Sequence, residues 1–207
     1  MGLWSQAGIV EGGSSGGWLR AALGLPGAPI LLMIGASSLS AAFTDATALS
    51  RINHLHVTTP AAPQTAVFSA PAAAVDVDGD GWTDLIAGRA DGPCVLYVNN
   101  RDGTFREEAA ARGLGGATGI GGIVAGDFSN TGRQDLFFAP LAGNRCFLFI
   151  NDGTGHFTEQ AVLRGADLTT TVEPHAGFGI SLADFDRDGY LDLSLTCLLY
   201  TSDAADE

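Results

Sequence analysis

Lysine is absent from this chain: its ten basic residues are all arginine, set against 23 acidic residues among 207, for a formal net charge of −13. A chain this poor in positive charge has no basic patch to neutralise phosphates, which excludes nucleic acid as a partner. The same balance suits divalent cations. Cysteine is scarce, three residues in all. Two of them, Cys94 and Cys146, fall at corresponding places of two recurring units, beyond the ~7 Å that a disulfide spans, and are expected to be buried free thiols. His54, His56, His156 and His175 are scattered, without the further ligands at matching spacing that zinc needs. No Walker-type glycine loop occurs. Aspartate-rich loops can supply catalytic acid pairs, but here the repeats would have to duplicate a whole active site. A non-catalytic protein is expected.

Glycine, by contrast, is abundant: 29 of 207 residues, about twice the usual ~7 %, which favours a turn-rich β protein. The two ends differ from the middle. Residues 1–42 hold a Gly/Ser-rich start and a charge-free run from Ala21 that includes ILLMI at 30–34. An A-x-A-like cleavage near Ala41 or Ala42 would make this a secretory signal. The alternative is a retained N-terminal anchor, which the run is long enough to form although Pro26 and Pro29 weaken it. At the other end, residues 197–207 (CLLYTSDAADE) break the repeat pattern in mid-strand and look like a translated sequencing adapter, a non-native tail to exclude from fold reasoning.

Between them the chain repeats itself. AAAVDVDGDGWTDLIAG (72–88), GIVAGDFSNTGRQDLFFAP (122–140) and GISLADFDRDGYLDLSLT (179–196) align, with first aspartates Asp76, Asp127 and Asp184 spaced 51 and 57 residues apart. CVLYVNNRDGTF (94–105) matches CFLFINDGTGHF (146–157) in step, and FTDATALS (43–50) resembles the segments that follow Phe105 and Phe157. Each unit carries short apolar runs separated by Asp-Gly and Asn-rich turns of the hairpin type. Units of this length with about four strands suggest propeller blades, because an ordinary β-sandwich has no reason to repeat the whole unit. The expected fold is all-β: residues 43–196 as an incomplete β-propeller fragment of about two to three four-stranded blades.

The acidic loops carry the chemistry. In Asp76-Val-Asp78-Gly-Asp80-Gly-Trp82-Thr-Asp84, positions 1, 3, 5 and 9 are carboxylates and Gly81 at position 6 permits a sharp turn. At about 4 Å each pair of carboxylates repels by ~1 kcal/mol in water and ~4 kcal/mol at an effective dielectric of 20. Such a loop calls for a cation. A hard, oxygen-seeking ion such as Ca²⁺ suits it, with the Trp82 carbonyl at position 7. Asp184, Asp186, Asp188, the Tyr190 carbonyl and Asp192 form a second full copy. The spacing begins like an EF-hand, but position 12 is Ala87 or Leu195 where an EF-hand needs Glu, and strand-like sequence follows. The middle copy keeps two carboxylates, Asp127 and Asp135, with Ser129 and Thr131 between them. It is expected to be kept for shape, with weak Ca²⁺ binding as the alternative.

Loop and repeat together resemble the FG-GAP (VCBS-type) repeat family, from about Phe43 to Thr196. In that family D-x-D-x-D-G-x-x-D loops bind Ca²⁺ between the strands of propeller blades, as in integrin α-chains. NNRDGTFREEAAARGL (99–114) is similar to the N-N-x-D-G-T-F signature of its cartilage-acidic-protein-like secreted members. The resemblance implies ligands Asp76, Asp78, Asp80, Trp82 carbonyl and Asp84 in one blade, and Asp184, Asp186, Asp188, Tyr190 carbonyl and Asp192 in another. It makes Asp84 a closing ligand, whose removal is expected to cost little once Ca²⁺ is chelated. The family's FG pair is present as Phe178-Gly179, but Gly121-Gly122 and Ala70-Pro71 stand in its other places. The resulting expectation is a secreted, periplasmic or cell-surface Ca²⁺-binding module for an extracellular protein or carbohydrate ligand, touching a membrane only if residues 1–42 remain as an anchor. The alternative is an accessory propeller domain of an extracellular hydrolase or lyase.

Overall fold

The structure is a computed structural model that describes residues 5–6, 10–13, 42–56, 71–90, 92–141, 145–167 and 176–198. The expectations for residues 1–42 fall almost wholly outside the described residues, as do residues 199–207. No helix among the described residues is long and apolar enough to cross a membrane.

Three antiparallel sheets carry the repeats. The first is a four-stranded meander of β5 (Ala72–Val75), β6 (Asp84–Ala87), β7 (Val95–Asn99) and β8 (Phe105–Glu107). The second repeats it with β9 (Ile120–Gly126), β10 (Asp135–Pro140), β11 (Phe147–Asn151) and β12 (Phe157–Glu159). The third is the pair β13 (Ala176–Ala183) and β14 (Asp192–Leu198). This is the expected partial propeller: two whole blades and the opening hairpin of a third. Ahead of them β1 (Ser5–Gln6) pairs with β4 (Leu55–His56), and β2 (Val10–Gly13) with β3 (Ala42–Asp45). Strand β14 runs through Cys197 and Leu198, opposite Gly177 and Ala176.

Blades pack because each strand alternates its faces. On β10, Leu136 and Phe138 join Val75, Ile86, Leu96 and Val98 in the core between the first two blades. Phe137 and Ala139, pointing the other way, join Leu148 and Ala161 against Ile180, Leu193 and Leu195 of the third. All six residues of β10 are buried, which explains its unbroken apolar run. Each buried Phe contributes about 1.5–3 kcal/mol. Cys94 and Cys146 sit buried and unbridged just before β7 and β11, as expected, and burial pushes the Cys94 thiol up to about 12.

The innermost strands approach most closely at a glycine. A Cβ on Gly121 would lie 2.7 Å from the Pro140 carbonyl oxygen and 2.8 Å from that of Gly177. A side chain at Gly121 would meet main chain of both β10 and β13.

A short tail closes each unit and confirms the repeat at residues 43–50. Glu107 and Glu159 each accept the main-chain N–H two residues on, at Ala109 and Ala161, both at 2.8 Å. Asp45 does the same for Thr47 at 2.9 Å. A helical turn follows in each case, Ser50 N–H to Ala46 carbonyl at 2.9 Å, Arg112 to Glu108 at 2.9 Å and Arg164 to Gln160 at 3.0 Å. It ends on a left-handed residue, Arg51, Gly113 or Gly165. The turn after Ala46, α1 (Thr47–Ser50), is therefore the tail of a preceding unit.

Candidate metal centre

All three acidic loops follow one backbone path. Position 4 (Gly79, Asn130, Arg187) and position 6 (Gly81, Gly132, Gly189) are left-handed in each. The position-1 aspartate organises the turn by accepting main-chain N–H groups, as Asx turns do. Asp76 takes those of Gly79 (2.8 Å), Asp80 (3.2 Å) and Gly81 (2.8 Å). Asp127 takes Thr131 (2.9 Å) and Gly132 (2.7 Å), and Asp184 takes Asp188 and Gly189, both at 3.0 Å. Burial works against the charge of Asp127, but those two N–H groups, with the Ser129 hydroxyl and the Asn130 N–H, outweigh it and hold its carboxyl below the usual range.

The position-9 aspartate ties the loop to the sheet. Asp84, 1 % exposed, accepts the Val77 N–H at 3.0 Å and the Asn99 N–H at the end of β7 at 2.8 Å. Asp135, 0 % exposed, accepts the Ser129 N–H at 2.9 Å and the Asn151 N–H at 2.9 Å. Asp192 takes the Phe185 N–H at 2.7 Å. Asp84 thus has a structural role that needs no metal, against the expectation that it matters through the ion alone. Its carboxyl is pushed up by burial, with the charges of Asp78 and Asp80 adding to the shift and the two N–H groups opposing it.

Among the described residues, two acidic clusters could hold an ion. Oxygens of Asp76, Asp78 and Asp84 lie within 4.8 Å of one another, and so do oxygens of Asp184, Asp186 and Asp188. The membership differs from the sequence pattern in a telling way. Asp80 leaves the first cluster because Arg101 claims its Oδ2 from Nε at 2.9 Å and Nη2 at 2.8 Å. The Trp82 N–H on Oδ1, then Arg101, keep the Asp80 carboxyl below its usual range. In the third blade Asp192 stays with Phe185, and the other three carboxylates are exposed. The Trp82 and Tyr190 side chains at position 7 are exposed as well.

The first cluster passes a test of fit. Asp78 Oδ2 accepts a hydrogen bond from Arg112 Nη2 at 3.1 Å, while its Oδ1 is buried with no hydrogen-bond partner. A buried, unpaired oxygen on a carboxylate that clusters with two others is costly unless a cation satisfies it. The middle loop solves the same problem without charge. Ser129 Oγ donates to Asp135 Oδ2 at 2.8 Å and sits 3.0 Å from Thr131 Oγ1, so hydroxyls fill the space that the first loop leaves open.

Missed by sequence reasoning were Arg101 and Arg112. They lie 21 and 34 residues from the aspartates they pair with, and no local periodicity announces such partners. Arg112 also donates to Glu108 Oε2 at 2.7 Å and to the Thr154 carbonyl of the second blade at 3.0 Å.

Comparison with known proteins follows these loops. A family model described as an FG-GAP-like repeat matches residues 76–138 and again 127–194. Cartilage acidic protein 1 of Homo sapiens is 37 % identical over 90 residues, 43 % of this chain and 13 % of that protein. Its Xenopus tropicalis counterpart is 41 % identical over 85 residues, 41 % of this chain and 12 % of that protein. The chain thus aligns with only a small share of the length of these relatives. Each family match starts on the first aspartate of one loop and ends in the strand after the next, Phe138 in β10 and Ser194 in β14. With more than half its length covered in that register, the chain belongs to the FG-GAP-like repeat family.

Proposed function

We propose that the chain is an extracellular propeller module whose first and third loops bind Ca²⁺, and that it engages a protein or carbohydrate partner without catalysing a reaction. Asp76, Asp78 and Asp84 would hold one ion and Asp184, Asp186 and Asp188 the other, with main-chain carbonyls at Trp82 and Tyr190 completing all-oxygen shells of the kind Ca²⁺ takes. Secretion rests on the charge-free N-terminal run and on the likeness to cartilage acidic protein 1. The observation that carries the metal reading is the buried, unpaired Oδ1 of Asp78, on a carboxylate that clusters with those of Asp76 and Asp84.

Extracellular modules bind Ca²⁺ with Kd around 10⁻⁴ to 10⁻³ M, so ten times Kd adds ~1.4 kcal/mol of stability per site. Calorimetric titration of the 207-residue chain with Ca²⁺ should count two sites. Asp78→Asn should remove one and Asp186→Asn the other. Full-strength binding at the Asp127 loop, or none at the Asp76 loop, would overturn the proposal.

A further inference from the structure

Arg112 is the most constrained cation among the described residues that meet the acidic loops. Its side chain is 9 % exposed, and its guanidinium spans three acceptors: Glu108 in its own turn, Asp78 in the first loop, and the Thr154 carbonyl in the β11–β12 hairpin of the next blade. Its own carbonyl accepts the Phe157 N–H at 2.9 Å where β12 begins. One residue therefore grips both the loop and the neighbouring blade.

The geometry points to Arg112 as a positioning residue for the first loop, which fixes Asp78 by Oδ2 so that Oδ1 faces the cluster, and which transmits occupancy of that loop to the hairpin of the second blade. A planar guanidinium suits this because its donors are held in a rigid fork. When a cation draws Asp78 Oδ1 inward, the carboxylate plane is set, Oδ2 with it, and the fork is held against the Thr154 carbonyl. Asn151 also crosses the junction, but its Nδ2 donates to the main-chain carbonyl of Val77 at 2.7 Å and touches no ligand carboxylate. The next unit supplies a natural contrast. Arg164 occupies the place of Arg112, but position 3 of its loop is Ser129, and its Nε donates to Gln160 Oε1 at 3.0 Å.

The inference rests on the reading of the first loop as a Ca²⁺ site, and the test separates the two. Tb³⁺ luminescence excited through Trp82, and lost in Trp82→Phe, reports occupancy of the first loop. Hydrogen exchange of the amides from Gly153 to Phe157, with Ca²⁺ and with chelator, reports the hairpin. Ca²⁺ should slow that exchange at least fivefold in the wild type and in Arg164→Met. In Arg112→Met, which keeps the buried stem, and in Arg112→Lys, whose single ammonium cannot span both acceptors, the slowing should fall below twofold while Tb³⁺ still binds. Hairpin exchange in chelator that matches the wild type in both Arg112 variants separates lost coupling from a merely structural loss; faster exchange in chelator would overturn the inference in favour of a structural role. Full slowing retained in both Arg112 variants would overturn the inference, as would a wild-type hairpin indifferent to Ca²⁺ in a loop that Tb³⁺ fills. Absence of Tb³⁺ luminescence would overturn the metal reading as well.

Discussion

At the scale of single residues, Asp84 and Asp135 are buried carboxyl groups that hold main-chain donors. Their surroundings differ: Asp84 belongs to a cluster of three carboxylates, whereas Asp135 also accepts the Ser129 hydroxyl. A hydrogen bond to a charged group is worth about 1.5–3 kcal/mol, and a donor left buried and unpaired adds a penalty. Asp135→Ala strips the Ser129 and Asn151 amides of their acceptor and should cost about 3 kcal/mol with Ca²⁺ or chelator alike. Asp84→Ala should cost a similar amount in chelator, plus ~1.4 kcal/mol more at ten times Kd of Ca²⁺. Melting curves of both variants in both conditions check this; a loss for Asp84→Ala confined to Ca²⁺ would show that its amide bonds contribute nothing. The spacing of carboxylates made these residues visible in the sequence, yet it could not say which would be buried. Burial follows from β6 and β10 running through the centre of their sheets, so that their first residues start inside the core.

At the scale of elements, blade boundaries were legible because turn chemistry repeats. Asp102 and Asp152 each accept the N–H and the hydroxyl of the threonine two residues on, and the same hairpin closes in both blades, from Asn100 N–H to the Thr104 carbonyl and from Asp152 N–H to the His156 carbonyl, although the D-G-T string sits two residues later in the first. The tail was legible in part, from the phenylalanine that precedes it; its acidic cap emerges only once Asp45, Glu107 and Glu159 are seen in one register. The junction between blades was not legible, since it depends on backbone approach. Gly121 sits there between two carbonyl oxygens under 3 Å from any added Cβ, and backbone cannot yield as a side chain can. Gly121→Ala should therefore destabilise by about 1–3 kcal/mol, the range for overpacking. Gly116→Ala, where nothing lies within 4 Å, is the control. Denaturant midpoints that match for the two variants would show that β9 and β13 can part at no expense.

At the scale of the whole molecule, charge and edge oppose each other. Among the described residues β14 pairs on one side only, and Phe178, Phe185 and Tyr190 lie exposed on the third sheet and its loop. An open strand edge beside apolar side chains invites association, while a net charge of −13 resists it. Salt shortens the reach of that repulsion, to about 10 Å at 0.1 M and 3 Å at 1 M. Light scattering at micromolar concentration should accordingly show association that grows with added NaCl; a monodisperse monomer at every salt concentration, with a cooperative melt, would refute it. The crossing tail has a consequence in time. The turn that ends at Gly113 finds its clasp only at Phe157, whose N–H it binds through Arg112 and whose carbonyl the Gly113 backbone abuts. On a ribosome adding about 5–20 residues each second, those 44 residues take roughly 2–9 s to emerge. Through that interval the first blade waits with its last turn unfastened, and the nascent chain completes each sheet one unit late.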